Sequence, residues 1–110
     1  MKVRDTMKKI SEAFCNKHLV ITGGTGSFGT TVLKHFLKSD VAEIRIFSRD
    51  EKKQDWMRHM LQAHYPKFSD KVKFFIGDVR DIDSVRDVMY GVDYVFHAAA
   101  LKEVPSCEFF

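Results

Sequence analysis

Two cysteines, two prolines and no apolar run of membrane-spanning length in 110 residues remove several classes of protein at once. Cys15 and Cys107 are too few and too far apart for a disulfide framework or a thiolate metal site, and read as reduced thiols. The five histidines show no ligand spacing, so no metal is expected. The N-terminus lacks the hydrophobic stretch of a signal peptide, which leaves the cytoplasm as the expected compartment. Charge excess is equally thin. Lys2, Arg4, Lys8, Lys9 and Lys17 against Asp5 and Glu12 account for the whole net charge of +3, and acids and bases balance over the remainder. A neutral body gives no electrostatic case for nucleic acid.

What is present centres on Val20-Ile21-Thr22-Gly23-Gly24-Thr25-Gly26-Ser27-Phe28-Gly29. A β-branched run stops at a glycine cluster and a helical apolar pattern starts at once. Strand, tight turn and helix opening form the arrangement that holds a dinucleotide pyrophosphate. Gly23 suits the sharp turn, Gly26 the close approach of main chain to phosphate, and Gly29 the contact of helix with strand. Two glycine patterns overlap, since Gly24, Gly26 and Gly29 fit G-x-G-x-x-G as well. The alternative is a glycine-rich loop without a ligand, and context decides between them.

The context is a regular alternation. His18–Ile21 is a strand too apolar to be half-exposed, hence central and parallel. Phe28, Val32, Leu33, Phe36 and Leu37 then mark one face of a helix broken at Ser39-Asp40. Ile44, Ile46 and Phe47 make a second strand, after which Ser48 and Glu51 fit a capping box for a helix reaching His64-Tyr65-Pro66. Val72, Phe74 and Ile76 alternate in a third strand. Asp81 can cap a short helix closed by Gly91, and Val92–Ala98 is the fourth strand. The pattern predicts an α/β fold, a Rossmann-type doubly wound parallel sheet. Residues 17–110 form this NAD(P)-binding unit. Residues 1–16 are a leader, either disordered or a short amphipathic helix carrying Val3, Met7, Ile10 and Phe14. Asp5 and Glu12 argue against a mitochondrial presequence.

Cofactor choice rests on the end of the second strand, where a carboxylate favours NAD and a cation favours NADP. Ser48 and Arg49, with Lys52 and Lys53 on the next turn, suit a 2′-phosphate and predict NADP over NAD. Asp50 is a complication, because it could bind ribose hydroxyls instead. Asp78 could accept from the adenine amino group while Val79 packs on the ring; the alternative is a turn aspartate bonded to its own backbone. Ala98, Ala99 and Ala100 leave room for the ribose or nicotinamide against backbone. His97 reads as a packed core residue, and Lys102 and Glu103 as either pocket-facing or surface charges.

These residues resemble the extended short-chain dehydrogenase/reductases in Thr22–Gly29, Gly77-Asp78-Val79-Arg80-Asp81 and His97-Ala98-Ala99-Ala100. The longer strings from Ile44 to Gln54 and from Ala98 to Phe110 are similar to the bacterial capsule and O-antigen nucleotide-sugar enzymes. Among these they most resemble the UDP-N-acetylglucosamine 4,6-dehydratase/5-epimerases, some of whose relatives carry the label UDP-glucose 4-epimerase. The resemblance runs from about Phe14 to Phe110. It implies a redox-neutral cycle on a UDP-sugar in a homo-oligomeric parent enzyme. Hydride leaves C4 for NADP, the ketone acidifies the C5 proton, water leaves from C6 and hydride returns there. It also implies pyrophosphate contacts from Gly23, Thr25, Gly26, Ser27, Phe28 and Gly29, 2′-phosphate contacts from Arg49 and Ser48, adenine contacts from Asp78 and Val79, and a substrate contact from Lys102.

The family's catalytic segment lies beyond Phe110, and Tyr90 and Tyr94 lack a lysine four residues on, so no Tyr-x-x-x-Lys pair is expected here. The expectation is a cofactor-binding part without catalytic residues, inactive alone. A non-catalytic NADP-binding module and an unstable remnant are the rival readings.

Overall fold

Alternating side chains of one short strand organise the two faces of the sheet. The structure, a computed structural model, describes residues 13–23 and 25–97. Expectations for most of the leader, Gly24, Ala98, Ala99, Ala100, Lys102, Glu103 and Cys107 lie outside the described residues. Strand β1 (His18–Thr22) is followed by helix α1 (Ser27–Leu37), β2 (Glu43–Ser48), α2 (Glu51–His64), a 3-10 turn (Ser69–Lys71), β3 (Val72–Ile76), α3 (Ile82–Met89) and β4 (Tyr94–His97). The four strands make one parallel sheet in the order β3-β2-β1-β4, with Ile21 opposite Ile46 and Phe96. The apolar β1 is therefore internal, as its composition requires.

Because successive side chains of a strand point to opposite faces, Leu19 and Ile21 fall on one side and Val20 on the other. Leu19, Ile21, Ile44 and Ile46 pack with Val32, Leu33, Phe36 and Leu37 of α1 and Met57 and Leu61 of α2. Val20 and Phe47 pack with Val88 of α3 on the opposite face. Helices on both faces are what a doubly wound sheet demands. The chain is thus a Rossmann-like α/β unit. Each large side chain buried this way contributes about 1.5–3 kcal/mol. Phe14, assigned to the leader by its spacing, is itself buried, with its ring 4.9 Å from Phe36 and 4.4 Å from Tyr94.

Three local expectations are corrected. Ser48 does not cap α2: it is the last, buried residue of β2, and Asp50 is the cap, its carboxylate accepting from the Lys53 N–H at 3.0 Å. Phe28 does not join the apolar face of α1, which is Gly29, Val32, Leu33, Phe36 and Leu37; Phe28 sits in the first turn, 38% exposed. The fourth strand starts at Tyr94 rather than Val92. Gly91, at φ 74°, turns the chain out of α3, and Asp93 is spent on His18, through its N–H to the His18 carbonyl (2.9 Å) and its carboxylate to the His18 N–H (2.8 Å).

Helix α3 has an additional anchor. Arg45 of β2 donates from Nη1 to the carbonyls of Val88 (2.8 Å) and Tyr90 (2.7 Å) while its Nε pairs with Glu43. A cation on the last carbonyls of a helix satisfies orphan acceptors and complements its dipole. This ties the C-terminal end of α3 to β2.

Candidate functional site

Parallel strands bring all their carboxyl ends to one edge, so the loops after β1, β2 and β3 converge there. After β1, Gly23 adopts φ 65°, a conformation that favours glycine, and its N–H donates to the Phe47 carbonyl of β2 at 2.8 Å. The Gly26 N–H then closes on the Gly23 carbonyl at 3.1 Å. The glycine turn is thereby closed on itself and tied by a main-chain bond to β2.

The start of α1 differs from that of the other two helices. Asp50 caps α2 and Asp81 caps α3, each with its side chain on a backbone N–H, and each helix has an acid in its first turn. Helix α1 begins at Gly26 with no side-chain cap and no acid. The hydroxyls of Thr30 and Thr31 turn back to the Gly26 and Ser27 carbonyls (2.8 and 2.9 Å) rather than to N–H groups. Neither a capping side chain nor a first-turn acid of α1 offsets the positive end of its dipole. Gly26 has φ −76°, and among the described residues a Cβ added there would meet nothing closer than the Gly23 carbonyl at 3.5 Å. The described part of the fold therefore leaves room for a Cβ at Gly26. Thr25 is half-buried, Ser27 is exposed, and Gly29 is buried.

At the end of β2, Ser48 and Arg49 part company. Ser48 is turned inward, where its Oγ accepts from Gln54 Nε2 at 3.0 Å. The same Nε2 donates to the Phe75 carbonyl at 2.9 Å, tying β2, β3 and α2 together, while Gln54 Oε1 is buried without a partner. Arg49 faces outward, its side chain 70% exposed. Asp50, the competitor for ribose hydroxyls, has an oxygen engaged as the α2 cap.

After β3, the Asp78 carboxylate accepts from the Arg80 N–H (2.9 Å) and from the Arg80 guanidinium in a fork, with Nη2 at 2.9 Å and Nε at 3.2 Å. This is the turn aspartate weighed from the sequence, with a side-chain clamp added. Arg49 Nη1 lies 3.7 Å from the same carboxylate, so the ends of β2 and β3 meet at Asp78. The Arg80 hydrogen bonds, more than its charge or that of Arg49, hold the Asp78 pKa down to about 2. Val79 beside it is exposed.

At the end of β4, His97 Nδ1 is 2.6 Å from the Thr22 hydroxyl, which is also 3.4 Å from the Phe96 carbonyl. The half-buried histidine is bonded next to the glycine turn, at the margin of the core rather than within it. Sequence reasoning missed Gln54, Arg80 and the packing of Gly77, where an added Cβ would lie 2.8 Å from Ser84 Cβ. Only Gly77 carried a usable signal, as a lone glycine between a strand and an aspartate. Among the described residues no group of three His, Cys, Asp or Glu side chains could hold a metal, and no helix is long and apolar enough to cross a membrane.

Parallel order, helices on both faces and a glycine turn feeding an uncapped helix define a Rossmann-like unit of the short-chain dehydrogenase/reductase type. The chain belongs to the family described as polysaccharide biosynthesis protein, whose model matches residues 19–110. It is 61% identical over 101 residues to a protein of Rickettsia prowazekii (strain Madrid E) named UDP-glucose 4-epimerase, covering 88% of this chain and 28% of that protein. A protein of the same name from Rickettsia bellii (strain RML369-C) is 60% identical with the same coverage. The chain thus spans about 28% of the length of these curated relatives. Among solved structures, Pen from Bacillus thuringiensis matches with a TM-score of 0.72 and 35% identity, over 83% of this chain and 28% of that one. L-sorbose reductase from Gluconobacter frateurii, solved with NADPH and L-sorbose, matches at TM-score 0.56 and 20% identity over 86% of this chain and 31% of that one, a likeness of fold.

Proposed function

We propose that this chain is the NADP-binding part of a nucleotide-sugar enzyme of surface polysaccharide biosynthesis, with residues 17–110 as its binding domain. The observation that carries the reading is Gly26. It is a glycine that neither its backbone angle nor its packing among the described residues requires, placed at the mouth of a helix with no capping side chain or first-turn acid. A pyrophosphate lying against the Gly23–Gly29 main chain accounts for both features. Arg49 would take the 2′-phosphate, Val79 would pack on the adenine, and Asp78 would flank it. Ser48 would act from behind, holding the end of β2 through Gln54. Ala98, Ala99, Ala100 and Lys102 keep their proposed places beside the nicotinamide and the sugar.

When bound, the nicotinamide would supply reversible hydride transfer at C4 of a UDP-sugar. This chain's own residues bind and orient. The glycine turn and the start of α1 neutralise the pyrophosphate, and Arg49 favours NADP over NAD. The strings from Ile44 to Gln54 and from Ala98 to Phe110 support a UDP-N-acetylglucosamine 4,6-dehydratase/5-epimerase. The name shared by the Rickettsia relatives supports a UDP-glucose 4-epimerase instead. Both begin with oxidation at C4, and loss of water from the product separates them.

Calorimetric titration with NADP and NAD tests the binding reading. NADP is expected to bind in preference, with Arg49→Ala reducing that preference. Gly26→Ala is expected to weaken both dinucleotides while changing stability by less than about 1 kcal/mol. Binding that survives Gly26→Ala unchanged would place the ligand elsewhere.

A further inference from the structure

We propose that Arg80 is a second determinant of cofactor choice, forming with Arg49 a two-guanidinium site for the adenosine 2′-phosphate. The inference rests on the dinucleotide reading above and deepens it. Arg49 and Arg80 come from the ends of different strands, yet both reach Asp78 Oδ2, at 3.7 and 2.9 Å. Two like charges this close need a reason to stay, and the carboxylate between them supplies it. The three groups together still carry a surplus of one positive charge, which attracts an incoming phosphate.

Donor geometry points the same way. Arg80 holds Asp78 through Nε and Nη2, which leaves Nη1 of its fork uncommitted to Asp78. Arg49 approaches at ion-pair distance rather than hydrogen-bond distance, so attraction places it without using up its donors. Both side chains are largely exposed, at 70% and 77%, whereas Asp78 is 30% exposed. The carboxylate forms the floor and the guanidiniums the rim. Planar N–H forks of this kind suit phosphate oxygens, and a phosphate monoester brings three acceptors and close to two negative charges. Of the acids nearby, Asp78 is held by the Arg80 guanidinium and Asp50 has an oxygen turned to the α2 backbone. In a structural role alone, Arg80 would merely pin its own turn.

The test compares adenosine 2′,5′-bisphosphate with adenosine 5′-monophosphate, two probes that differ by the 2′-phosphate, by calorimetry on the wild-type chain, Arg80→Gln and Arg80→Lys. Arg80→Gln is expected to weaken the bisphosphate about tenfold and leave the monophosphate within about twofold. Arg80→Lys should recover part of the loss, since the charge returns without the fork. Circular dichroism checks that each variant folds. Equal weakening of both probes, or of neither, would overturn the inference and leave the dinucleotide reading standing on the wild-type result. A wild-type chain that binds neither probe would overturn the site reading and this inference with it.

Discussion

Replacing Gly77 with alanine should destabilise the chain although its backbone has no need of glycine's special angles. The reason is crowding where β3 hands over to α3. A Cβ at this position would lie 2.8 Å from Ser84 Cβ, 2.9 Å from Ser84 Oγ and 3.0 Å from Phe47 Cζ. None of these neighbours is the free end of a long side chain. Phe47 is fully packed, and Ser84 Oγ donates to the Asp81 carboxylate that caps α3, at 3.0 Å. Relief therefore requires α3 to shift away from the sheet. Overpacking of this kind costs about 1–3 kcal/mol, and the stiffer unfolded chain returns about 0.4–1, leaving a net loss centred on about 1 kcal/mol. Urea unfolding followed by far-UV circular dichroism would show a lower midpoint with an unchanged slope. A second substitution locates the cause. Ser84→Gly removes two of the three short contacts, so Gly77→Ala should cost about 1 kcal/mol less in that background. Unchanged stability on Gly77→Ala, or an equal cost in both backgrounds, would refute the packing argument.

Three further outcomes follow from particular contacts. Asp78 should titrate with a midpoint of about 2 by carboxyl NMR and move toward 3.8 in Arg80→Gln, because Arg80's hydrogen bonds are the main cause of the depression. Since the folded value lies below the unfolded one, the pairing contributes above about pH 4 and is lost as pH falls through about 2, so any stability gap between the two proteins should close over that window. Arg45→Met should cost about 1–3 kcal/mol in urea unfolding by leaving the Val88 and Tyr90 carbonyls without their donor. Thr22→Val, equal in shape, should cost about 0.5–1.5 kcal/mol and move the His97 ring resonances; unmoved resonances would contradict the Thr22–His97 bond.

Elements were more legible in the sequence than the bonds between them. The runs of β1 and β2, the spacing of Val32, Leu33, Phe36 and Leu37, the Asp81 cap and the Gly91 stop all act over a few residues, and the structure has them in place. Ser48 misled because it satisfies the capping-box pattern, while pairing of β2 with β3 carries the strand through Ser48, opposite Ile76, and leaves Asp50 to cap α2. Arg45 reaches carbonyls 43 and 45 residues away, and Gln54 a carbonyl 21 away, distances at which no local pattern exists. For the candidate site, the glycine turn and Arg49 were readable from composition at strand ends. Arg80 was not, because its approach to Arg49 depends on two strand ends meeting at one carboxylate.

The central claim is that the glycine turn and the start of α1 receive a dinucleotide, and amide NMR of the labelled chain during titration with NADP tests it most directly. The account predicts saturable shifts centred on the amides of Gly23, Gly26, Ser27 and Phe28, with smaller ones at Arg49, Asp78 and Val79. Saturation that leaves these amides in place, or moves instead those around Arg58, Gln62 and Phe74 on the far side of α2, would contradict it.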